Sequence, residues 1–188
     1  MVKNFFANVL ELVKIIIIAA LIIFPIRWLV IQPFYVKGAS MEPNFYDKEY
    51  LIIDEISYRF NQPQRGDIVV FRYPKDPQEY FIKRVIGLPG EKVQLKNGDI
   101  YITAKGKTEE VKLDEPYLPV DLKTYSLNEE PVELGPSQYF FLGDNRNASK
   151  DSRYFGPVDK SFVIGKVWLR GWPFDRAKVF HMQQYNFQ

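Results

Sequence analysis

The chain predicts an all-β domain, built as folded antiparallel sheets or a barrel, behind one N-terminal transmembrane helix. Short runs rich in β-branched and aromatic residues recur from residue 50 onward, and turn signals separate them. No stretch after residue 50 has an amphipathic helical period. Before residue 40 the pattern is the reverse, a single long apolar run.

That run needs length to cross a bilayer. Ile15 to Ile26 supplies 12 residues, about 18 Å of helix against about 30 Å of hydrocarbon. Adding Leu12, Val13 and the stretch from Trp28 to Ile31 extends it to about 20 residues, a sufficient span. Lys14 and Arg27 then sit near the two boundaries, where long cationic side chains snorkel, and Trp28 and Tyr35 suit the interfacial belt. Pro25 is tolerated in a membrane helix and predicts a kink. A cleaved secretory signal is the competing reading, since Lys3 precedes the apolar core, but no small-x-small site follows and Lys37-Gly38-Ala39 places a lysine badly. The expected organisation is a short tail over 1–8, an uncleaved signal-anchor over 9–32 and a β-rich domain over 33–188. Lys3 and Lys14 face Arg27 and Lys37 across the span, so charge bias does not orient it.

The predicted strands follow in order: Tyr50 to Ile53, Asp67 to Phe71, Tyr80 to Ile86, Lys92 to Leu95, Asp99 to Thr103, Gln138 to Leu142 and Val163 to Leu169. Asn97-Gly98 stands between two of them and predicts a tight hairpin. Gly66-Asp67, Leu88-Pro89-Gly90 and Gly171-Trp172-Pro173 punctuate the others. From Ala104 to Pro136 the sequence is charged and interrupted by proline, including Glu115-Pro116-Tyr117-Leu118. It reads as a solvated loop with one or two edge strands at the rim.

Composition removes most chemistries. The 188 residues suit one soluble core after the apolar segment. A net charge of +2, from 25 basic against 23 acidic residues, gives no footprint for nucleic acid. Zero cysteines exclude disulfides, thiol catalysis and cysteine zinc sites, and the one histidine, His181, excludes a histidine-rich site. An EF-hand series starting at Asp144 fails because Arg146 and Ala148 fall where oxygen ligands are needed. No cofactor or metal is implied.

A serine activated by a lysine needs none of those parts. The serine hydroxyl is a poor nucleophile until a base takes its proton, and lysine is a base only when neutral. From a usual pKa near 10.4, about one lysine in a thousand is neutral near pH 7.5, so burial must lower it by roughly 2 units. Strand alternation puts Phe81, Lys83 and Val85 on one face and Tyr80, Ile82, Arg84 and Ile86 on the other. Lys83 therefore has apolar neighbours, while Arg84 stays charged and is no base. Periodicity alone leaves Lys83 equally readable as an edge-strand lysine in water, and Ser40 in Ala39-Ser40-Met41-Glu42-Pro43 as a turn residue.

Four segments decide between those readings. They are Gly38-Ala39-Ser40-Met41-Glu42-Pro43, Gly66-Asp67-Ile68-Val69-Val70-Phe71, the run Lys83 to Gly90 (KRVIGLPG), and the run Gly143 to Arg153 (GDNRNASKDSR). Together, and in this order behind an apolar segment, they resemble the type I signal peptidases, membrane-bound serine proteases that remove signal peptides. The resemblance implies Ser40 as nucleophile, Lys83 as general base and then acid, and Ser149 as the hydroxyl that hydrogen-bonds and orients the lysine amine. It implies structural support of the site from Asp144, Asn145, Asp151 and Arg153. Some members of that family have a serine two residues before the nucleophile to complete the oxyanion hole. This chain has Gly38 there, whose backbone N–H is a candidate second donor beside that of Ser40.

The implied substrate is a preprotein that adds as a strand beside Pro33 to Gly38 and Tyr80 to Lys83, with small residues one and three positions before the cut. The lipid bilayer is the other implied partner. Trp168, Trp172, Phe174 and Phe45 form an aromatic group that suits either the bilayer surface or ordinary core packing. Two other readings belong to different classes. A LexA-like Ser/Lys autoprotease shares the β fold but lacks an anchor, and this chain has no helix-turn-helix before Ser40. A catalytically silent, membrane-tethered β-domain binding secretion partners does not need Ser40, Lys83 and Ser149 together.

Overall fold

The computed structural model describes residues 2–29, 31–126 and 128–180, with side chains described for 8–21 and from 33 onward within those ranges. Helix α1 runs Val2–Leu29. It begins inside the expected tail and ends before residue 32, because β1 (Ile31–Tyr35) pairs antiparallel with β2 (Tyr50–Asp54), from Ile31 opposite Asp54 to Tyr35 opposite Tyr50. Ile31 and Gln32 thus leave the expected helix for a sheet partner, a tertiary contact overriding a local apolar run. Trp28, Arg27, Pro25, Lys3 and His181 lie outside the residues whose side chains are described. Among the described residues, no helix is long and apolar enough to cross a membrane.

The rest is antiparallel β, as the pattern predicts. After a four-residue helix α2 (Ser57–Phe60) come β3 (Ile68–Tyr73), β4 (Asp76–Gly87), β5 (Lys92–Lys96), β6 (Asp99–Thr103), β7 (Glu110–Lys112), β8 (Val132–Glu133) and β9 (Gln138–Leu142). A short α3 (Ser152–Phe155), β10 (Val158–Asp159), β11 (Val163–Trp172) and β12 (Lys178–Val179) complete it. The larger sheet has order β1-β2-β11-β3-β4-β9-β10, with β12 on β11, and the smaller has order β7-β6-β5-β8. The Asn-Gly hairpin forms between β5 and β6, with Lys96 opposite Asp99. Asn97 has φ 55° and Gly98 φ 79°, the paired positive values that this two-residue turn requires.

Alternation sorts the side chains into three clusters. On β3, Ile68 and Val70 face one cluster with Val36, Met41, Phe45, Leu51, Ile53 and Val167, beneath the serine loop. Val69 and Phe71 face the opposite cluster with Val85, Tyr139 and Phe141. Phe45 is fully buried, so it belongs to the core, whereas Trp168, Trp172 and Phe174 are exposed. The third cluster joins the sheets: Ile86, Phe140 and Leu142 of the larger pack against Val93, Leu95, Ile100 and Ile102 of the smaller. The segment 104–136 does contain two edge strands, β7 and β8.

Candidate active site

Ser40 lies in a turn pinned at both ends by apolar burial, with Val36 before it and Met41 and Phe45 after it. The Phe45 N–H donates to the Met41 carbonyl at 2.8 Å and the Glu42 N–H to the Ala39 carbonyl at 3.2 Å, closing the turn. Gly38 enters it at φ 83°, a conformation that costs glycine little. Strand β4 supplies the facing wall. Its first half is exposed and pairs only with β3, and its second half is buried between β3 and β9.

Lys83 sits where β4 becomes buried, and is 3% exposed. Its Nζ donates to Ser40 Oγ at 2.7 Å and to the Ile82 carbonyl at 2.8 Å. Burial holds the amine down to about 8, against the smaller opposing pull of Asp151 and Asp144. At pH 7.5 roughly a quarter of such an amine is neutral, about two hundred times more than for a lysine in water.

The loop Gly143 to Arg153 clamps the serine turn from the other side. Asn145 donates its backbone N–H to the Ser40 carbonyl and its Nδ2 to the Ala39 carbonyl, each at 3.1 Å. Asp144, fully buried, accepts from Nε and Nη2 of Arg84 in a side-on pair at 2.8 and 2.6 Å, and from Asn44 Nδ2 at 2.8 Å. Asp151 accepts from Arg153 through both oxygens and from the Gly143 N–H at 3.1 Å, and it caps α3. Asn145 and, through Asn44, Asp144 therefore tie the loop to the serine turn, while Asp151 and Arg153 brace the loop itself.

Two expectations differ from what is found. Ser149 is 6% exposed and its hydroxyl has no hydrogen-bond partner among the described residues, so the bond to Lys83 implied by the resemblance is not formed. The hydroxyl instead lies over Gly143, where a built side-chain carbon falls 2.1 Å from Ser149 Oγ and 2.4 Å from the Ser40 carbonyl oxygen. The Gly38 N–H, the candidate second oxyanion donor, already donates to Asp47 Oδ1 at 2.7 Å. A carboxylate acceptor at that distance competes strongly for the proton. The Ser40 N–H has no acceptor among the described residues.

Sequence reasoning missed the strap behind the loop. Glu115 takes Arg146 in a two-oxygen ion pair at 2.8 and 2.5 Å, and the Arg146 Nε donates to the Gly143 carbonyl at 3.0 Å. The Tyr117 ring lies 3.7 Å from the Arg84 guanidinium carbon.

A groove of about 580 Å³ opens on this pair and runs between the β1 end of the serine turn and the exposed half of β4. A hydroxyl within bonding distance of a buried, partly neutral amine, on antiparallel sheets with an adjoining open strand edge, defines a β-fold serine peptidase. The family model for signal peptidase, peptidase S26, matches residues 9–172. Signal peptidase IB of Staphylococcus aureus is 36% identical over 195 aligned positions, covering 96% of this chain and 95% of that protein. The protein named "Probable signal peptidase I-2" from Synechocystis is 39% identical, covering 89% of this chain and 75% of that protein. A crystal structure of a signal peptidase I from Enterococcus faecalis aligns with 56% of this chain and 97% of that one, at 33% identity and a TM-score of 0.46. The chain belongs to the signal peptidase family, peptidase S26.

Proposed function

We propose that this signal peptidase cuts the signal peptides of secreted preproteins with Ser40 as nucleophile and Lys83 as general base. Neutral Lys83 takes the Ser40 proton as Oγ attacks the scissile carbonyl, and the resulting ammonium then protonates the leaving amine. Water, deprotonated by the same amine, releases the acyl group from Oγ. The Ser40 N–H stabilises the oxyanion. Ser149, buried without a partner, is available to the ammonium that Lys83 becomes. Asp144, Asn145, Asp151 and Arg153 hold the geometry, and Gly38 shapes the turn. The 2.7 Å contact between the Lys83 amine and the Ser40 hydroxyl carries this reading.

The preprotein segment before the cut adds as a strand in the groove between Pro33 to Gly38 and Tyr80 to Lys83. The unpaired edge of β4 over Asp76–Lys83 supports this. Helix α1 acts as the single-pass anchor of a cytoplasmic membrane protein whose residues 33–188 lie on the outer side. Its support is the run Ile15–Ile18, whose four successive side chains point to all sides of the helix and are 63%, 57%, 53% and 48% exposed. Lipid is the solvent for such a surface. The exposed Trp168, Trp172 and Phe174 suit the headgroup layer beside it.

Purified full-length protein in lipid vesicles should process a preprotein, and Ser40→Ala and Lys83→Ala should each lower the rate at least a thousandfold. Full activity in either variant overturns the pair. Selective labelling of Ser40 by a serine-reactive probe, lost in Lys83→Ala, distinguishes the enzyme from a silent β-domain.

A further inference from the structure

The walls of the groove meet at the end remote from Ser40. Phe34, on β1, and Tyr80, on β4, touch across it with ring centroids 5.8 Å apart at 63°. These strands are not neighbours in the sheet: β2, β11 and β3 intervene in the hydrogen-bonded order. The contact is therefore made by side chains alone, and a chain lying in the groove meets it without breaking any backbone pairing. Tyr80 is half exposed and Phe34 partly buried against the cluster under the serine turn. One ring is thus fixed and the other open to a ligand.

Strand geometry locates the pair relative to the reaction. Tyr80 precedes Lys83 by three positions, about 10 Å of extended chain. A substrate strand whose scissile carbonyl is at Ser40 places about three residues between that carbonyl and the rings. Tyr80 shares a face of β4 with Ile82, which also lines the groove. The residues nearest the cut meet the lining around Val36 and Ile82, and the one after them meets aromatic surface.

We infer that Phe34 and Tyr80 form a distal subsite that selects the residue four or five positions before the cut, favouring a large apolar side chain. This rests on the groove being the substrate site. The preference arises because the Tyr80 ring offers a broad apolar face that an alanine there leaves wet and a leucine covers. An aspartate side chain loses hydration against the same face.

The test uses full-length protein in lipid vesicles and peptides that are identical except for alanine, leucine or aspartate at the fourth or fifth position before the cut. For the wild type, kcat/KM should be on the order of tenfold higher for leucine than for alanine at one of these positions. Tyr80→Ala should bring that ratio to about one, and Tyr80→Phe, which keeps the ring, should retain it. Because each variant is judged by a ratio of two substrates, a loss of folded enzyme cancels. An unchanged ratio in Tyr80→Ala, or no preference in the wild type, overturns the subsite. Failure of the Ser40/Lys83 reading is distinct, since it shows as cleavage of every peptide by Ser40→Ala.

Discussion

At the scale of the residue, the chemistry depends on one amine kept partly neutral by its surroundings. Lys83 titrates near 8 because burial outweighs the carboxylates of Asp151 and Asp144. With the neutral form as the base, kcat/KM should rise about tenfold per pH unit below 8 and level off above it. A pH–rate profile on a peptide substrate checks this, and a flat profile between pH 6 and 8 counts against Lys83 as the base. The same residue leaves a thermodynamic trace. An unfolded lysine titrates near 10.5, so between pH 8 and 10.5 the unfolded chain binds the extra proton and stability rises with pH. The rise is about 3 kcal/mol, and denaturant titrations should find it absent from Lys83→Met. Much of this residue-level picture was legible in the sequence. Missing cysteine and histidine chemistry left room for a serine and a lysine, strand alternation gave Lys83 apolar neighbours, and only the resemblance of four segments to the signal peptidases singled out Ser40 and Lys83. What was not legible is hydrogen-bond choice: Asp47 captures the Gly38 N–H and Ile82 captures the lysine, through local geometry that no spacing rule encodes.

At the scale of the element, the site is a contact between the serine turn and the loop from Gly143 to Arg153. At Gly143 they leave no room for a side chain, so the requirement there is space rather than backbone freedom. A methyl group at this position would meet the Ser40 carbonyl oxygen at 2.4 Å and Ser149 Oγ at 2.1 Å, and neither backbone nor buried hydroxyl can yield cheaply. Gly143→Ala should therefore separate turn from loop and lower kcat about a hundredfold, with a smaller effect on KM. Steady-state kinetics read this directly, and a kcat within threefold of wild type would mean the contact relaxes without moving the hydroxyl. The strands themselves were readable because each presents β-branched or aromatic residues at period two between glycine and proline turns, as with Leu51 and Ile53 in β2 or Val93 and Leu95 in β5. β1, β8, β10 and β12 were not readable. Ile31 and Gln32, the start of β1, continue an apolar run that reads as helix, and the other three are two-residue pairings whose register exists only once the sheet is built.

At the scale of the whole molecule, the two sheets are held together by an apolar core and the site is then tied to it by charge. Ile86, Phe140 and Leu142 bury themselves among four side chains of the smaller sheet, an interface of the same kind as the interior of either sheet. Across it passes the strap from β7, whose Glu115 meets the nearly inaccessible Arg146 and whose Tyr117 covers Arg84. The strap was read as solvated because its charges and prolines hide a long-range contact, and charge in a sequence does not reveal whether a partner waits in the core. Removing the carboxylate leaves the Arg146 guanidinium buried without its counter-ion, a cost of about 3–5 kcal/mol. The apolar interface is untouched by that change, so it should still couple the sheets. Glu115→Ala is thus expected to lower the denaturation midpoint while leaving one transition. Tryptophan fluorescence, from Trp168 and Trp172 in the larger sheet, and amide exchange at Ile100 and Ile102 in the smaller should shift together. Exchange released at the smaller sheet ahead of the tryptophan change would show instead that Glu115 and Arg146, rather than the shared core, join the two.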